Sequence, residues 1–279
     1  MTSQRMLLTG ATGFVGRQIL SALLKKGVRL RVVVRNGSES RLPQSSAIEV
    51  IHTEDLFAES NDWWVRACQE IDTVVHAAWY AEPGLYIQSP KNLDCLIGTL
   101  QMAKGCIQAG VKRFVGIGSC SEYDFSSEYL SIDTPLRPTT AYAGAKAATF
   151  LALSTMFAQQ GTSFAWARLF YLYGEGEDNR RLVPYLRSQL SAGEPAELTS
   201  GTQIRDYLDV GAAGVQLADL AHDSTTGAVN ICSGRAQSVR ELAESIADEY
   251  GRRDLLRFGA RPDNQFDPPR IVGIRSTAC

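Results

Sequence analysis

Leu7-Leu8-Thr9-Gly10-Ala11-Thr12-Gly13-Phe14-Val15-Gly16 decides how this chain is read. An apolar run from Met6 breaks into three glycines at Gly-x-x-Gly-x-x-Gly spacing, and an amphipathic segment over residues 17–25 follows at once. That order predicts strand, tight turn and helix N-terminus, the arrangement that holds a pyrophosphate. Gly10 permits the turn, Gly13 lets the backbone approach phosphate, and Gly16 lets helix pack on strand. Unpaired N–H groups and the positive end of the helix dipole supply the attraction. Thr12, Phe14 and Val15 complete the cofactor-binding stretch.

Outward from that stretch, the first 170 residues alternate strand-like runs (6–9, 30–35, 49–52, 73–76, 114–117, 163–168) with helical spacing, as over 99–109 and 142–159. Short, fully apolar strands alternating with helices predict an α/β, doubly wound parallel sheet of Rossmann type. Beyond residue 169 the pattern loosens into helical stretches at 182–192, 211–219 and 239–251, separated by Gly-, Pro- and Thr-rich turns, and 261–270 reads as irregular. The expected division is a dinucleotide-binding domain over 1–170, with 205–230 returning to it. A smaller substrate lobe is expected from 171–204 and 231–279.

Bulk properties narrow the partners. The 279 residues are 44% apolar and 21% charged with net charge −2, so no basic surface for nucleic acid is implied. No run is long enough to span a bilayer, and the immediate first strand leaves no room for a signal peptide, so a cytoplasmic location is expected. The six cysteines (68, 95, 106, 120, 232, 279) and three histidines (52, 76, 222) show no metal-ligand spacing and read as buried free thiols and ordinary imidazoles.

Tyr142 and Lys146 stand at i, i+4, on one face of a helix. A free tyrosine titrates near pH ~10, and a cation one turn away favours the phenolate. Ser119 closes the apolar run 114–117, at the edge where open α/β sheets bind ligands, and can orient a substrate alcohol or carbonyl toward Tyr142.

The glycine stretch, Ser119 and Tyr-x-x-x-Lys in this order resemble the extended short-chain dehydrogenase/reductases, the nucleotide-sugar epimerase, dehydratase and reductase family. Further matches run along nearly the whole chain. His76-Ala77-Ala78 resembles that family's cofactor-lining turn, Asp55-Leu56 its adenine-contacting pair, and Gly98-Thr99 the Gly-Thr that opens its long helix. Arg168-Leu169-Phe170 to Tyr173-Gly174, Leu182-Val183-Pro184, Gly201-Thr202-Gln203-Ile204-Arg205-Asp206-Tyr207 and Asn230-Ile231-Cys232-Ser233-Gly234 resemble its later signatures. The resemblance implies Tyr142 as proton carrier, Lys146 as cofactor-ribose holder and tuner, and Ser119 completing the proton path. It also implies substrate contacts from Ser119, Cys120, Ser121, Tyr171, Val183, Arg205 and Arg261, and a homodimer joined through the helices of Gly98 and Tyr142.

Departures from the family pattern shift the expected reaction. Cys120 and Ser121 occupy the place of the dehydratase Asp-Glu pair and do no carboxylate work, and alternation turns Glu122 elsewhere, so 4,6-dehydration is disfavoured. Cys95 replaces an asparagine, with Asn92 one turn earlier a partial substitute, and Tyr171 replaces another asparagine. Arg35 stands where an acidic residue binds the adenosine ribose; a guanidinium pairs with a 2′-phosphate, favouring NADP(H), with NAD(H) still open. The last residues, 274–279, come earlier than in family chains, which leaves either a naturally short lobe or a truncated one. The leading expectation is C4 keto-reduction or C4 epimerisation of a nucleotide-linked sugar. A reductase of a non-nucleotide carbonyl and a non-catalytic NADP-sensing regulator are the alternatives; Arg205 argues against the first, and retention of Tyr142 and Lys146 against the second.

Overall fold

In the computed structural model, which describes residues 4–264 and 267–275, β1 (Arg5–Thr9) stops at Gly10 and α1 (Phe14–Lys25) begins directly after Gly13. The alternation continues through β2 (Arg29–Arg35), β3 (Ile48–Thr53), α2 (Asn61–Ala67), β4 (Thr73–His76) and α3 (Lys91–Gln108). Next come β5 (Arg113–Ser119), α4 (Ala141–Gln160) and β6 (Ser163–Leu169). These six strands and β11 (Gly227–Ile231) form one parallel sheet in the order β11-β6-β5-β4-β1-β2-β3. The inner order, with the chain reversing direction of growth between β1 and β4, is the Rossmann arrangement, which places ligands at the C-terminal ends of those strands.

Both sheet faces are covered, which explains the unbroken apolar strands. Met6, Leu8, Val32 and Val115 pack toward Ile19 and Leu23 of α1 and Leu217 of α6 (Val210–His222). Leu7, Val33, Val74 and Phe114, pointing the other way, meet Trp64 of α2, Met102 of α3 and Phe157 of α4. The chain leaves the sheet through β7 (Tyr171–Tyr173), α5 (Leu182–Ala192), β8 (Ala196–Leu198), β9 (Ile204–Arg205) and β10 (Tyr207–Asp209). After α6 and β11 come β12 (Gln237–Ser238), α7 (Val239–Tyr250), β13 (Leu256–Phe258) and β14 (Arg270–Ile271). α5, β8 and α7 enclose a separate core of Leu186, Leu190, Leu198, Leu242 and Ile246. No helix among the described residues is long and apolar enough to cross a membrane.

Three local expectations need correction. Gly98 and Thr99 do not open a helix: α3 starts at Lys91, and Gly98 lies mid-helix because a Cβ there would sit 2.4 Å from the Phe57 carbonyl oxygen. Sequence periodicity does not reveal α2, its seven residues being too few to show a period. Nor does it reveal β11, because Asn230 interrupts the apolar run; that amide is buried and bonds to Tyr123 and Leu130. The five described cysteines are free and buried, with the Cys68 and Cys106 sulfurs 3.6 Å apart; Cys279 lies outside the described residues.

Candidate active site

The glycine turn is shaped by close approach. Gly10 has φ +74°, and a Cβ there would lie 2.7 Å from the Ala78 nitrogen, while one on Gly16 would lie 1.9 Å from the Gly10 oxygen. Gly13 caps α1 without any side-chain bond, and the first turn carries no acidic residue, so its N–H groups stay open to an anion. A diphosphate suits this cradle.

The Ala77-Ala78 turn beside it is fixed by an imidazole. Ala78 N–H donates to Thr9 Oγ1 (3.2 Å), which lies 2.8 Å from His76 Nδ1; His76 Nε2 lies 3.0 Å from Thr99 Oγ1, and Thr99 donates to Cys95 O (2.7 Å). Because Thr99 spends its proton on that carbonyl, it accepts from Nε2–H and leaves Nδ1 as acceptor for Thr9. The chain needs a neutral ring. Burial, assisted by the nearby Lys146 charge, holds His76 down at about 3.

Ser119 ends β5 and Tyr142 opens α4, whose N-cap Thr140 accepts from Ala143 N–H. Ser119 Oγ is 2.7 Å from Ser121 Oγ. Desolvation raises the half-buried Tyr142 phenol above its ordinary value, and the Ser119 hydroxyl facing it works the other way. One turn along, Lys146 is buried; its Nζ donates to Ile117 O at 2.6 Å and lies 3.6 Å from the centre of the Trp79 ring. Desolvation pulls this amine down to about 7, against the pull of the Glu122 charge.

Glu122 is wholly buried and points into the sheet. Its oxygens accept from Ser119 N–H (2.7 Å), Trp166 Nε1–H (3.0 Å) and Arg168 Nε–H (2.8 Å). Arg168 in turn donates to Tyr123 OH (3.0 Å), which donates to Asn230 Oδ1 (2.7 Å). Such a buried pair is strongly needed once present, since losing one partner strands the other charge at a cost of about 3–5 kcal/mol. Glu122 thus anchors the Ser119 turn.

On the lobe side, β7 and β10 set Tyr171 opposite Tyr207, ring centres 5.9 Å apart. Arg205 is almost fully buried, with its guanidinium 5.3 Å from the Tyr171 ring and Nη2 2.6 Å from Asp267. Charges on Arg205 and Glu122 both act on the buried Cys120 thiol, whose pKa burial raises first of all. Ser119, Cys120, Ser121, Tyr171 and Arg205 are therefore brought into one region. Val183 belongs instead to the lobe core, and exposed Arg261 spends its guanidinium on Tyr185 OH (3.2 Å) and Glu197. On the cofactor side, Asp55 accepts from Phe57 N–H, Leu56 packs against the sheet, and Arg35 stands exposed at the end of β2.

The model of the NAD dependent epimerase/dehydratase family matches residues 6–232. The chain belongs to that family. Among curated relatives, dTDP-6-deoxy-L-talose 4-dehydrogenase (NAD(+)) of Aggregatibacter actinomycetemcomitans is 24% identical over 274 residues, covering 97% of this chain and 99% of the relative. UDP-glucose 4-epimerase of Azospirillum brasilense is 24% identical over 97% of this chain and 84% of its own length. Among solved structures, MoeE5 in complex with UDP-glucose and NAD is 28% identical, with TM-score 0.80 over 96% of this chain and 89% of that one. The Thermotoga maritima UDP-glucose 4-epimerase, at 20% identity, shares the fold with TM-score 0.85, covering 98% and 90% of the two chains.

Within this family the chain's departures take physical form. Cys95 accepts from Tyr80 N–H at 3.4 Å, while Asn92, a turn earlier, accepts from Trp79 Nε1–H at 2.9 Å. Sequence reasoning named Asn92 only as a substitute for the missing asparagine and passed over Trp79 and Tyr86. Their one signal was an aromatic pair, Trp79-Tyr80, directly after the cofactor-lining turn.

Proposed function

We propose that this family member is an NAD(P)-dependent enzyme that reduces or epimerises a nucleotide-linked sugar at C4. The observation that carries this reading is the convergence of Ser119, Tyr142 and Lys146 at the C-terminal sheet edge, next to the uncapped α1 N-terminus. A nicotinamide cofactor, when bound, supplies the hydride acceptor or donor. Gly10, Thr12, Gly13, Phe14, Val15 and Gly16 hold its diphosphate, Ala77 and Ala78 line its path, Asp55 and Leu56 meet its adenine, and Lys146 its ribose. Arg35 favours NADP(H) by pairing with a 2′-phosphate.

Tyr142 moves a proton to or from the sugar oxygen, and Ser119 orients that oxygen. The charged amine of Lys146 offsets the desolvation that holds the phenol protonated. Arg205 faces the sugar-nucleotide diphosphate, with Tyr171 beside it, and Cys120 and Ser121 line the sugar. Dehydration is disfavoured, because Cys120 is a buried thiol raised in pKa and Glu122 is engaged by three donors. Reduction is the preferred direction of the two, given Arg35. The protein acts as a cytoplasmic homodimer.

The test begins with mass spectrometry of any nucleotide released on denaturing the purified protein, followed by assays with NADPH and 4-keto-6-deoxy nucleotide sugars. Retained NAD(H) would favour epimerisation with a cofactor recycled in place; an exchangeable NADP(H) would favour reduction. Tyr142→Phe is expected to lower kcat by about 10²–10⁴ with cofactor affinity little changed. Unchanged turnover in that variant would overturn the proton-transfer role.

A further inference from the structure

The segment between β4 and α3 lays one aromatic ring on each member of the Tyr142–Lys146 pair. The Trp79 ring centre lies 3.6 Å from the Lys146 ammonium, and the Tyr86 ring meets the Tyr142 ring edge-on, centres 4.9 Å apart at 88°. One side chain holds both. Asn92 accepts from Trp79 Nε1–H at 2.9 Å, and its amide donates to Tyr86 O at 2.6 Å and Ser89 O at 2.9 Å. Asn92 is 1% exposed, and among the described residues its amide is spent on this segment.

Two outer ties fix the same segment: Gln88 Oε1 accepts from Ala141 N–H at the start of α4 (3.2 Å), and Glu82 pairs with Arg180 at 2.7 Å. Trp79 also rests edge-on against Phe57, centres 6.3 Å apart. The indole is therefore located from its nitrogen and from its ring edge, and its face is left to the ammonium. An ammonium over an indole is drawn to the ring face; Lys146 also donates to the Ile117 carbonyl, and the Trp166 and Tyr142 ring centres stand farther off at 5.7 and 5.9 Å.

We propose that Asn92 is a positioning residue for the Tyr142–Lys146 pair, acting through Trp79 on the ammonium and through Tyr86 on the phenol. The half concerning Tyr142 rests on the reading of that residue as proton carrier. The half concerning Lys146 describes the cofactor-free chain and stands apart from the chemistry.

The test uses the full chain without cofactor and reads tryptophan emission against pH. Lys146 titrates near 7; of the other groups facing it, His76 is held near 3, Cys95 and Tyr142 are raised, and Glu122 is committed to its buried pair. An emission step near pH 7 is expected in the unmodified protein and absent in Lys146→Met. In Asn92→Leu the indole loses its fixed place, so the step falls to less than half, kcat drops on the order of tenfold, and substrate KM moves less than about twofold. Trp79→Phe keeps a ring but lacks the indole N–H that Asn92 holds, so it too loses on the order of tenfold in kcat, and Trp79→Leu loses at least as much.

A full emission step with unchanged kcat in Asn92→Leu overturns the proposal. So does an unmodified kcat in Trp79→Phe, whose ring offers Asn92 no N–H to hold. If Asn92→Leu does not fold, Trp79→Phe decides by the same rule. Should Tyr142→Phe retain turnover, the proton-carrier reading fails, and the emission step still decides the link from Asn92 through Trp79 to Lys146.

Discussion

Lys146 carries a conflict that can be measured directly. It is buried, and desolvation lowers its amine from an ordinary 10.5 to about 7. Between those values the unfolded chain binds a proton that the folded chain does not, so stability rises with pH across that window. The burial penalty is full below about 7 and gone above about 10.5. In the cofactor-free protein, Lys146→Met should therefore raise Tm relative to the unmodified chain by more at pH 6 than at pH 10. A Tm difference independent of pH would mean that the amine is not held in a desolvated place. Arg35 is a residue of the opposite kind, exposed at a strand end with no side-chain hydrogen bond or ion pair among the described residues. Its replacement costs the fold little, so cofactor choice can be read cleanly. Arg35→Asp should lower NADP(H) affinity relative to NAD(H) by roughly tenfold, since it removes one charge-assisted phosphate contact. An unchanged affinity ratio by calorimetry would remove Arg35 from the 2′-phosphate assignment.

At the scale of elements, β1, the glycine turn and α1 behave as one unit. The Cβ of a Gly16→Ala variant would be driven to 1.9 Å from the Gly10 oxygen, a backbone atom with no room to move. The variant should lose about 1–3 kcal/mol of stability and most cofactor binding together, by thermal melts and fluorescence titration. Retained binding at unmodified affinity would show that helix and strand do not pack this closely. The unit was legible in the sequence because each of its requirements is local: apolar strand, glycine spacing, amphipathic helix. Tyr142 and Lys146 were legible for the same reason, sharing a helical face four residues apart. The start of α3 was not, because Gly98 reads as a breaker until Phe57 is seen to occupy the space a side chain would need. Asn230 hid β11 in the same way, its amide answering Tyr123 and Leu130, about a hundred residues away. The contacts of Asn92 with Trp79 and Tyr86 are likewise set by the path of a loop, which no periodicity encodes. What local chemistry dictates was readable; what a distant neighbour dictates was not.

For the whole molecule, α3 and α4 present a face that the monomer does not cover. Leu93 (58% exposed) and Ile97 (57%) on α3 and Leu151 (56%) on α4 stand in water, although both helices bury their opposite sides. Between them a shallow depression of about 270 Å³ is lined by Pro90, Leu93, Leu96 and Gly144, and a Cβ on Gly144 would meet nothing within 4 Å. An apolar face on two adjoining helices suits a second copy of the same face across a two-fold axis. Tyr142 lies in the first turn of α4, so such packing would also steady the helix that carries the proposed proton carrier. The protein should then sediment at twice the 30.5 kDa chain mass. Ile97→Glu places a charge at the centre of that face, where two copies of the carboxylate would be desolvated without partners. In the monomer the same side chain is more than half in water and tolerates the change. Sedimentation of the variant should therefore fall to a single chain, with far-ultraviolet circular dichroism unchanged. An unmodified protein that sediments at 30.5 kDa would leave α3 and α4 facing solvent and place the support of Tyr142 within one chain.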